Sequence, residues 1–321
     1  MKDKPELSVI IPVYNSEGTI ASLVCAAELV LRDHFAGVQF VLVNDGSRDG
    51  SHEVILEMLS SELGYAVKYI QLARNFGEHN AVICGLRYAD GDVAAIIDDD
   101  FQNPPEEIIR LVTRLRGGYD VVYSRYELKR HSLFRNLGSR FNDLVATALL
   151  KKPRGLYLSS FKVINRFVID IVTSYEGPYP YLDGLILRST RSIGTQLCEH
   201  QPRQKGESNY TLRKLVSLWL NMFTSFSVSP LRVASYLGLS MAAVGFFMAL
   251  FFILSWSVGG VLSSEIPKGW ASLIVTLTFF SGIQLLVLGL VGEYVGRVFM
   301  TLNRQPQSVV RSVIDGRIQN E

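Results

Sequence analysis

Cysteine is scarce in this sequence, and the spacing of the few cysteines argues against a disulfide scaffold or a cysteine-bound metal. The three cysteines, Cys25, Cys84 and Cys198, show neither disulfide nor metal-ligand spacing, so we expect a reducing environment. The stretch before Leu7 lacks the apolar region of a signal peptide. We therefore expect the N-terminal part of the chain to remain unexported.

Net charge is also small, whereas apolar residues are abundant. Lysine and arginine together number 32 and aspartate and glutamate 30, which leaves a net charge of +2. A nucleic-acid partner is therefore not expected, because such proteins carry a strongly basic surface. Hydrophobic residues make up 48% of the chain and the mean hydropathy is +0.20, which predicts long apolar segments.

Two stretches without any charged residue, 233–258 and 270–292, each exceed the roughly 20 residues that span a bilayer. They predict two transmembrane helices. Basic residues flank the pair on both outer sides, namely Arg213, Lys214, Arg232, Arg297, Arg304 and Arg311. By the positive-inside rule, both flanks and both termini are expected on the cytoplasmic side.

The residues just before the first span combine an apolar surface with Arg213 and Lys214, which predicts a helix lying in the membrane interface. The resulting organisation is a cytoplasmic domain over 1–208, an interfacial helix over 209–230, two transmembrane helices within 231–293 and a cytoplasmic tail over 294–321. Within the first span, small residues recur at spacings that allow close helix approach, at Gly238, Ala242 and Gly245. They would serve either a homo-oligomer or packing within one chain.

The first half of the chain alternates short apolar runs with amphipathic segments, which predicts an α/β fold with a parallel, doubly wound sheet. The expected strands are Leu7–Tyr14, Val38–Val43, Val67–Leu72, Val93–Ile97 and Tyr119–Tyr123. Ser16 and Asn103 precede two of the helices and are expected to cap them.

Polar clusters follow four of these strands, where a doubly wound sheet binds its ligands. They are Pro12-Val13-Tyr14-Asn15, Asn44-Asp45-Gly46-Ser47, Arg74-Asn75-Phe76-Gly77 and Asp98-Asp99-Asp100-Phe101-Gln102. Each alone is compatible with an ordinary turn, and the acid triplet alone with a solvated loop. Together they favour one crevice that holds a cation, because three adjacent acids repel one another and alternate carboxylates suit a hard ion such as Mg²⁺ or Mn²⁺.

The segment 125–152 interleaves basic and apolar residues, which suits an anionic ligand or a lipid surface, with a solvated amphipathic helix as the plain alternative. A nucleotide-type crevice, a basic segment and a membrane anchor together point to a soluble anionic donor and an acceptor held in lipid. A nucleotide-sugar and a polyprenyl phosphate fit that geometry.

Six motifs make the chain similar to a known family over nearly its whole length: Ile11-Pro12-Val13-Tyr14-Asn15, Asn44-Asp45-Gly46-Ser47, Arg74-Asn75-Phe76-Gly77, Asp98 to Pro105, Gly206-Glu207-Ser208-Asn209-Tyr210 and Gly292-Glu293-Tyr294-Val295-Gly296-Arg297. It resembles the glycosyltransferase family 2 polyisoprenyl-phosphate glycosyltransferases, the dolichol-phosphate mannose synthase group, and most closely their two-span bacterial members. The Gln-Asn-Pro-Pro continuation and the Gly-Glu-Tyr motif are the more specific signals.

The resemblance implies a GT-A (Rossmann-like) glycosyltransferase domain followed by two transmembrane helices, and an inverting transfer to a lipid phosphate, undecaprenyl phosphate, at a bacterial inner membrane. It places Pro12, Tyr14, Asp45, Asn75 and Asp98 around the nucleotide and diphosphate. Asp100 and Gln102 would hold Mg²⁺ or Mn²⁺. The remaining functional positions would contact the lipid phosphate or the active site, at Arg125, Arg135, Ser139 and Arg203.

The sequence departs from the family pattern at two positions. Leu156 or, in another register, Tyr157 stands where similar enzymes carry an Asp that is the usual candidate base, and Asn209 replaces a Lys. Within the triplet, Asp99 occupies a position where similar enzymes often have a small residue. Replacing Asp99 is therefore expected to cost much less activity than replacing Asp100.

Two rival functions fit parts of this pattern. A processive polysaccharide synthase would share the fold and the anchor, but the Gln-x-x-Arg-Trp motif and the extra spans of such enzymes are absent from the sequence. A catalytically inactive scaffold that binds nucleotide or lipid phosphate would explain Leu156 and Asn209. Retention of all three acids and of Gln102 counts against the scaffold.

Overall fold

A computed structural model of the chain describes residues 6–61, 65–126, 152–153, 155–199 and 269–316, together with isolated positions between 231 and 254. The chain divides into two compact units. The first comprises Met1–Leu215 and Arg304–Glu321, and the second comprises Val216–Asn303.

The described elements alternate as the apolar runs predict. The strands are β1 Leu7–Val13, β2 Val38–Asn44, β3 Ala66–Leu72, β4 Val93–Ile96, β5 Val121–Arg125, β6 Lys162–Asn165, β7 Ile193–Leu197 and β8 Val310–Gly316. The helices are α1 Ile20–Leu31, α2 Ser51–Ser60, α3 Glu78–Arg87, α4 Glu106–Arg116, α5 Arg166–Thr173, α6 Leu182–Ser189 and α7 Trp270–Leu302.

The eight strands form one sheet in the order β7-β5-β6-β4-β1-β2-β3-β8. The expectation of a parallel sheet is confirmed for β4, β1, β2 and β3. It is wrong for the whole sheet, since β6 runs antiparallel to β4 and β5, and β8 runs antiparallel to β3. The α/β prediction is thus confirmed as a mixed sheet.

The central strands are buried on both faces, as their continuous apolar runs require. In β1, Leu7, Val9, Ile10 and Ile11 have no solvent-accessible surface. Helix α1 packs one apolar stripe on this core, consisting of Ile20, Leu23, Val24, Ala27 and Leu31. The rigid centre of the sheet therefore positions the loops that leave the carboxyl ends of its parallel strands.

Two predicted helix caps are wrong, because other groups bind the capping side chains. Helix α1 begins after Thr19, and the Ser16 hydroxyl instead donates to the Asp99 carboxylate. Helix α4 begins after Pro105 without a side-chain cap, and the side-chain oxygen Oδ1 of Asn103 accepts from the Tyr126 hydroxyl at 2.5 Å.

The C-terminal segment belongs to the sheet. Residues 304–309, within the stretch expected to be a juxtamembrane tail, lead into β8, which pairs with β3 along its length. Ahead of the strand, the Gln307 amide nitrogen donates to the main-chain oxygens of Tyr175 and Gly177, both at 2.8 Å. The Gln307 amide oxygen accepts from Arg87 at 2.8 Å. The segment is thereby fixed to the end of α3.

The second unit contains α7, whose 33 residues include the candidate span Phe280–Leu302 with a mean hydropathy of 1.6. In the part of the chain that the structure describes, this is the one helix long and apolar enough to cross a membrane. Glu293 and Arg297 form an ion pair one turn apart within it, at 2.8 Å. The predicted interfacial helix over 209–230 lies outside the described residues, as does most of the predicted first span over 233–258.

Candidate active site

The carboxyl ends of β1 to β4 present the polar residues that the sequence singled out. Pro12 is half-buried near the end of β1, Tyr14 follows it with 36% of its surface exposed, and Asn75 is exposed in the loop after β3. Asp98 and Asp100 come two and four residues after the end of β4. Because these strands are parallel neighbours, their four loops share one edge of the sheet.

Asp45 is buried and shapes the loop after β3. One carboxylate oxygen accepts from the Phe76 amide at 2.7 Å and the other from the Gly77 amide at 2.9 Å. Burial raises the pKa of Asp45, and these two hydrogen bonds oppose that shift. Asp45 thus joins the loop after β2 to the loop that carries Asn75.

Gly46 allows these two loops to approach each other. Its φ is +67°, and a Cβ added there would lie 2.6 Å from the main-chain carbon of Arg74 and the nitrogen of Asn75. We expect Gly46→Ala to destabilise the protein by about 2 kcal/mol, because both the left-handed backbone and the contact are unfavourable for alanine. Chemical unfolding of the full chain measures this loss, with Gly118→Ala (φ +104°, no atom within 4 Å) as the control for backbone strain alone. Equal losses in the two variants would exclude the steric contribution.

Each acid of the triplet has a different partner. Asp98 accepts from the Ser160 hydroxyl at 2.5 Å, and Asp100 accepts from the main-chain nitrogen of Gln102 at 3.1 Å. Asp99 accepts from the main-chain nitrogen of Tyr14 at 3.1 Å. The three acids therefore have three separate partners and are all half-buried, so the triplet is not a uniformly solvated loop.

The electrostatics of this end of the sheet show an excess of negative charge. Burial raises the pKa of Asp98 to about 7, with Glu78, Asp100 and Asp99 adding to the shift and the Ser160 hydrogen bond opposing it. Burial likewise raises the pKa of Asp99. A cation bound here would favour the ionised carboxylates and relieve this repulsion.

Glu78, the first residue of α3, is a site residue that sequence reasoning missed. Its side chain keeps access to solvent but is closely surrounded by protein atoms, and this desolvation raises its pKa. The nearby Lys162 opposes the shift, whereas Asp183, Asp99 and Asp100 add to it. The sequence signal that could have identified Glu78 is its position directly after the Arg74–Gly77 cluster, at the start of a helix.

A buried ion pair lies near Glu78. The Lys162 ammonium and the Asp183 carboxylate are hydrogen-bonded, with 2% and 8% of their side-chain surfaces exposed. The buried Tyr123 hydroxyl donates to the same Asp183 oxygen at 3.0 Å. Because each charge has its partner, the pair is tolerated in the core. The positive charge of Lys162 also acts on Glu78, whose pKa it lowers.

The His79 side chain makes the free energy of unfolding depend on pH, because its pKa differs between the folded and the unfolded chain. Burial lowers the pKa of its imidazole from 6.5 to about 4, against the opposing charge of Asp183. Between these pH values the unfolded chain binds a proton that the folded chain does not. The stability contributed by neutral His79 is therefore complete above about pH 6.5 and declines as the pH falls toward 4.

We expect wild type to lose about 1 to 2 kcal/mol through His79 between about pH 7 and pH 5. Urea unfolding at both pH values, compared with His79→Gln, measures this contribution. The glutamine variant should show a smaller decrease than wild type. An identical decrease in both proteins would contradict the prediction.

The region of the missing family Asp contains no carboxylate facing the triplet among its described side chains. Leu156 is 7% exposed and packs inward, whereas Tyr157 is 57% exposed and its ring contacts Tyr126 edge-on at 6.3 Å between centroids. Ser160, a few residues later, reaches Asp98. A hydroxyl group therefore approaches the first acid from this segment.

The acceptor side of the predicted site is described only at Arg125. It is the last residue of β5 and is exposed, and its main-chain oxygen accepts from the Cys198 nitrogen at 2.9 Å. Arg135, Ser139, Arg203 and Asn209 lie outside the described residues. Their roles stay predictions.

The residues after β4 fit a divalent cation that binds together with substrate phosphates. Across the described residues, no three His, Cys, Asp or Glu side chains form a ready-made metal site. Asp100 and Gln102 offer a carboxylate and an amide oxygen two positions apart, and both are half-buried. Mg²⁺ and similar ions are commonly held by one or two such groups, with substrate phosphates supplying further oxygens.

Comparison with known proteins gives a consistent result. The sequence profile described as glycosyl transferase family 2 matches residues 8–172. An undecaprenyl-phosphate 4-deoxy-4-formamido-L-arabinose transferase of Pseudomonas paraeruginosa is 34% identical over 316 residues, covering 96% of this chain and 90% of the relative. An uncharacterised glycosyltransferase of Bacillus subtilis is 31% identical over 309 residues, covering 95% and 93%.

A solved structure shares the fold. Glucosyl-3-phosphoglycerate synthase from Mycobacterium tuberculosis, in complex with phosphoglyceric acid, superposes with a TM-score of 0.50 at 18% identity. The match covers 69% of this chain and 80% of that structure. At this identity the likeness concerns the fold alone.

Proposed function

The chain belongs to glycosyl transferase family 2 and is a glycosyltransferase, and from this premise we propose that it transfers a sugar from a nucleotide-sugar to a polyprenyl phosphate. The observation that carries the proposal is the acid triplet at the edge of the sheet, where Asp98 and Asp100 share an excess of negative charge. Similarity over nearly the full length to a transferase named for undecaprenyl phosphate supports that lipid as the acceptor.

The nucleotide would lie across the ends of β1 and β2. Pro12 and Tyr14 border this edge, and Asn75 stands in the loop that Asp45 holds through two main-chain amides. In this proposal Asp45 both lines the pocket and keeps its wall in place. Asp98 would face the ribose and diphosphate side, because it follows the neighbouring strand β4.

Asp100 and Gln102 would hold Mg²⁺ or Mn²⁺ together with the diphosphate. The ion supplies Lewis-acid stabilisation of the negative charge on the leaving group. The protein's own contribution is to place two oxygen ligands after β4 and to leave that site short of positive charge. Arg125, with Arg135 and Ser139, would hold the acceptor phosphate in line with the anomeric carbon, and Arg203 would contact the active site.

An inverting transfer does not require the missing Asp. A phosphate monoester has a second pKa of about 6, so most of the acceptor is already a dianion at neutral pH and can attack without losing a proton. General-base assistance, worth about 10² to 10⁴ for groups that must lose one, is therefore less important here. The segment around Leu156, which carries tyrosine and serine and no Asp, is therefore compatible with catalysis.

The proposed location is the bacterial inner membrane, with the catalytic unit and both termini cytoplasmic. Helix α7 supports one membrane crossing by its length and composition. A second crossing over 233–258 is proposed from the uncharged sequence there. Contact with the bilayer would bring the lipid phosphate to the same face of the membrane as the soluble donor.

The test is transfer by the purified full-length protein. It is incubated with undecaprenyl phosphate, Mg²⁺ or Mn²⁺, and a panel of nucleotide-sugars, and the lipid products are identified by mass spectrometry. We expect one sugar on the lipid phosphate with at least one donor, and no product without the lipid or with EDTA. Products carrying long sugar chains would instead support a polysaccharide synthase.

A second candidate is an inactive scaffold, favoured by the absence of a carboxylate at Leu156 and Tyr157. It predicts nucleotide binding without transfer for every donor in the panel. Calorimetric titration with nucleoside diphosphates, run beside the transfer assay, distinguishes it from the proposed enzyme.

A further inference from the structure

Asp99, the acid for which the sequence predicts a smaller role than for Asp100, accepts three hydrogen bonds across the site edge. One of its carboxylate oxygens accepts both from the Tyr14 amide at 3.1 Å and from the Ser16 hydroxyl. Its main-chain oxygen accepts from the Thr19 hydroxyl at 2.7 Å. A single residue after β4 therefore binds three positions of the loop between β1 and α1.

That loop needs external support because its own conformation is unusual. Asn15 has a φ of 57°, a left-handed backbone that costs free energy in a residue other than glycine. From the β2 side, Ser47 accepts from the Asn15 amide at 3.1 Å, and the Asn15 side chain accepts from the Arg48 amide at 2.8 Å. Tyr14 and Ser16 also form hydrogen bonds with the residues after β4. Among the contacts described, all of these hydrogen bonds go to Asp99.

We propose that Asp99 is a positioning residue that ties the Tyr14–Thr19 loop to the end of β4 and so sets the distance between the nucleotide side and the diphosphate side of the site. Tyr14 belongs to the first side, and Asp98 and Asp100 to the second. The assignment of these two sides to the nucleotide and to the diphosphate rests on the proposed function. The structural part of the proposal, the two hydrogen bonds that the Asp99 carboxylate accepts from Tyr14 and Ser16, is independent of any activity.

The sequence prediction about Asp99 is thereby refined. A small residue at this position would leave the Tyr14 amide and the Ser16 hydroxyl without their present acceptor. Loss of the carboxylate should weaken ground-state and transition-state binding equally, because the hydrogen bonds that are lost hold Tyr14 on the nucleotide side, and Asp100 and Gln102 keep their own side chains. A uniform binding loss raises KM and leaves kcat unchanged.

We expect Asp99→Ala to raise the KM for the nucleotide-sugar about tenfold, since two hydrogen bonds to one charged acceptor are lost, while kcat changes by less than about threefold. Asp99→Asn should restore most of the wild-type KM, because an amide oxygen can accept from both donors. Ser16→Ala, which removes one donor, should give an intermediate KM. Asp33→Asn, an exposed acid outside the site, is the matched control.

Hydrogen exchange provides a readout that does not require transfer. In wild type, peptides covering 14–19 should be protected, and Asp99→Ala should accelerate exchange there by about tenfold while leaving β1 protected. If wild type transfers no sugar, the proposed function fails but this measurement still decides the role of Asp99. Unchanged exchange at 14–19 in Asp99→Ala, or equal losses in the alanine and asparagine variants, would overturn the inference.

Discussion

Asp100→Ala is expected to reduce kcat for sugar transfer by about a thousandfold, which corresponds to roughly 4 kcal/mol of transition-state stabilisation. In the proposed site, Asp100 supplies the carboxylate ligand of the cation that stabilises the leaving diphosphate. Its carboxylate also accepts from the main-chain nitrogen of Gln102, so the substitution removes one proposed ligand and a hydrogen bond that holds the backbone of the other. Steady-state kinetics with saturating donor measure the effect.

The matched control is Glu106→Gln, which removes an exposed carboxylate from the first turn of α4. It should keep kcat within about twofold, because a surface charge one turn from the site contributes little. Asp100→Ala should also lose the dependence of nucleotide binding on Mn²⁺ in calorimetry. Full activity in Asp100→Ala would mean that the metal ligands have been assigned to the wrong acids.

Lys162→Met is expected to cause the largest loss of stability, about 3 to 5 kcal/mol, because it leaves the Asp183 carboxylate buried without a counter-charge. For a unit of this size the midpoint of thermal unfolding should fall by about 10 °C. The measurement is differential scanning fluorimetry of the full-length protein in detergent.

The double variant Lys162→Met with Asp183→Asn separates charge from packing. It removes both charges and keeps an oxygen that can accept from the Tyr123 hydroxyl. We expect it to recover at least half of the lost stability, since neutral replacements of buried ion pairs are often well tolerated. A double variant as unstable as Lys162→Met would indicate that packing of the lysine chain, and not the orphaned charge, decides the loss.

The parallel centre of the sheet could be predicted from the sequence because its signals are local. Mainly apolar runs mark β1 to β4, and the polar clusters that follow them mark the edge where Asp45, Asp98 and Asp100 lie. Burial on both faces leaves few alternatives for such runs. The prediction of a metal site at the triplet needed the neighbouring polar clusters as well, because the triplet alone is equally compatible with a solvated loop, and Asp100 and Gln102 as its ligands stay a prediction.

The remaining features depend on partners that are distant in sequence. The antiparallel placement of β6 follows from pairing with β4 and β5 on either side, which no periodicity specifies. The two helix caps were wrongly predicted because Asp99 and Tyr126 bind the capping side chains. The negative charge that Glu78 adds depends on how close the start of α3 lies to the triplet, which the local sequence does not specify.

The last strand has a consequence for how the protein is made. Gln71 of β3 and Ser312 of β8 are hydrogen-bonded although they are 241 positions apart in the chain. A ribosome therefore completes β3 long before it makes the partner strand, and α7 is synthesised in between. Until then the edge of β3 keeps unpaired main-chain groups, which are prone to pair with other chains. A chain that stops before β8 would carry that open edge permanently.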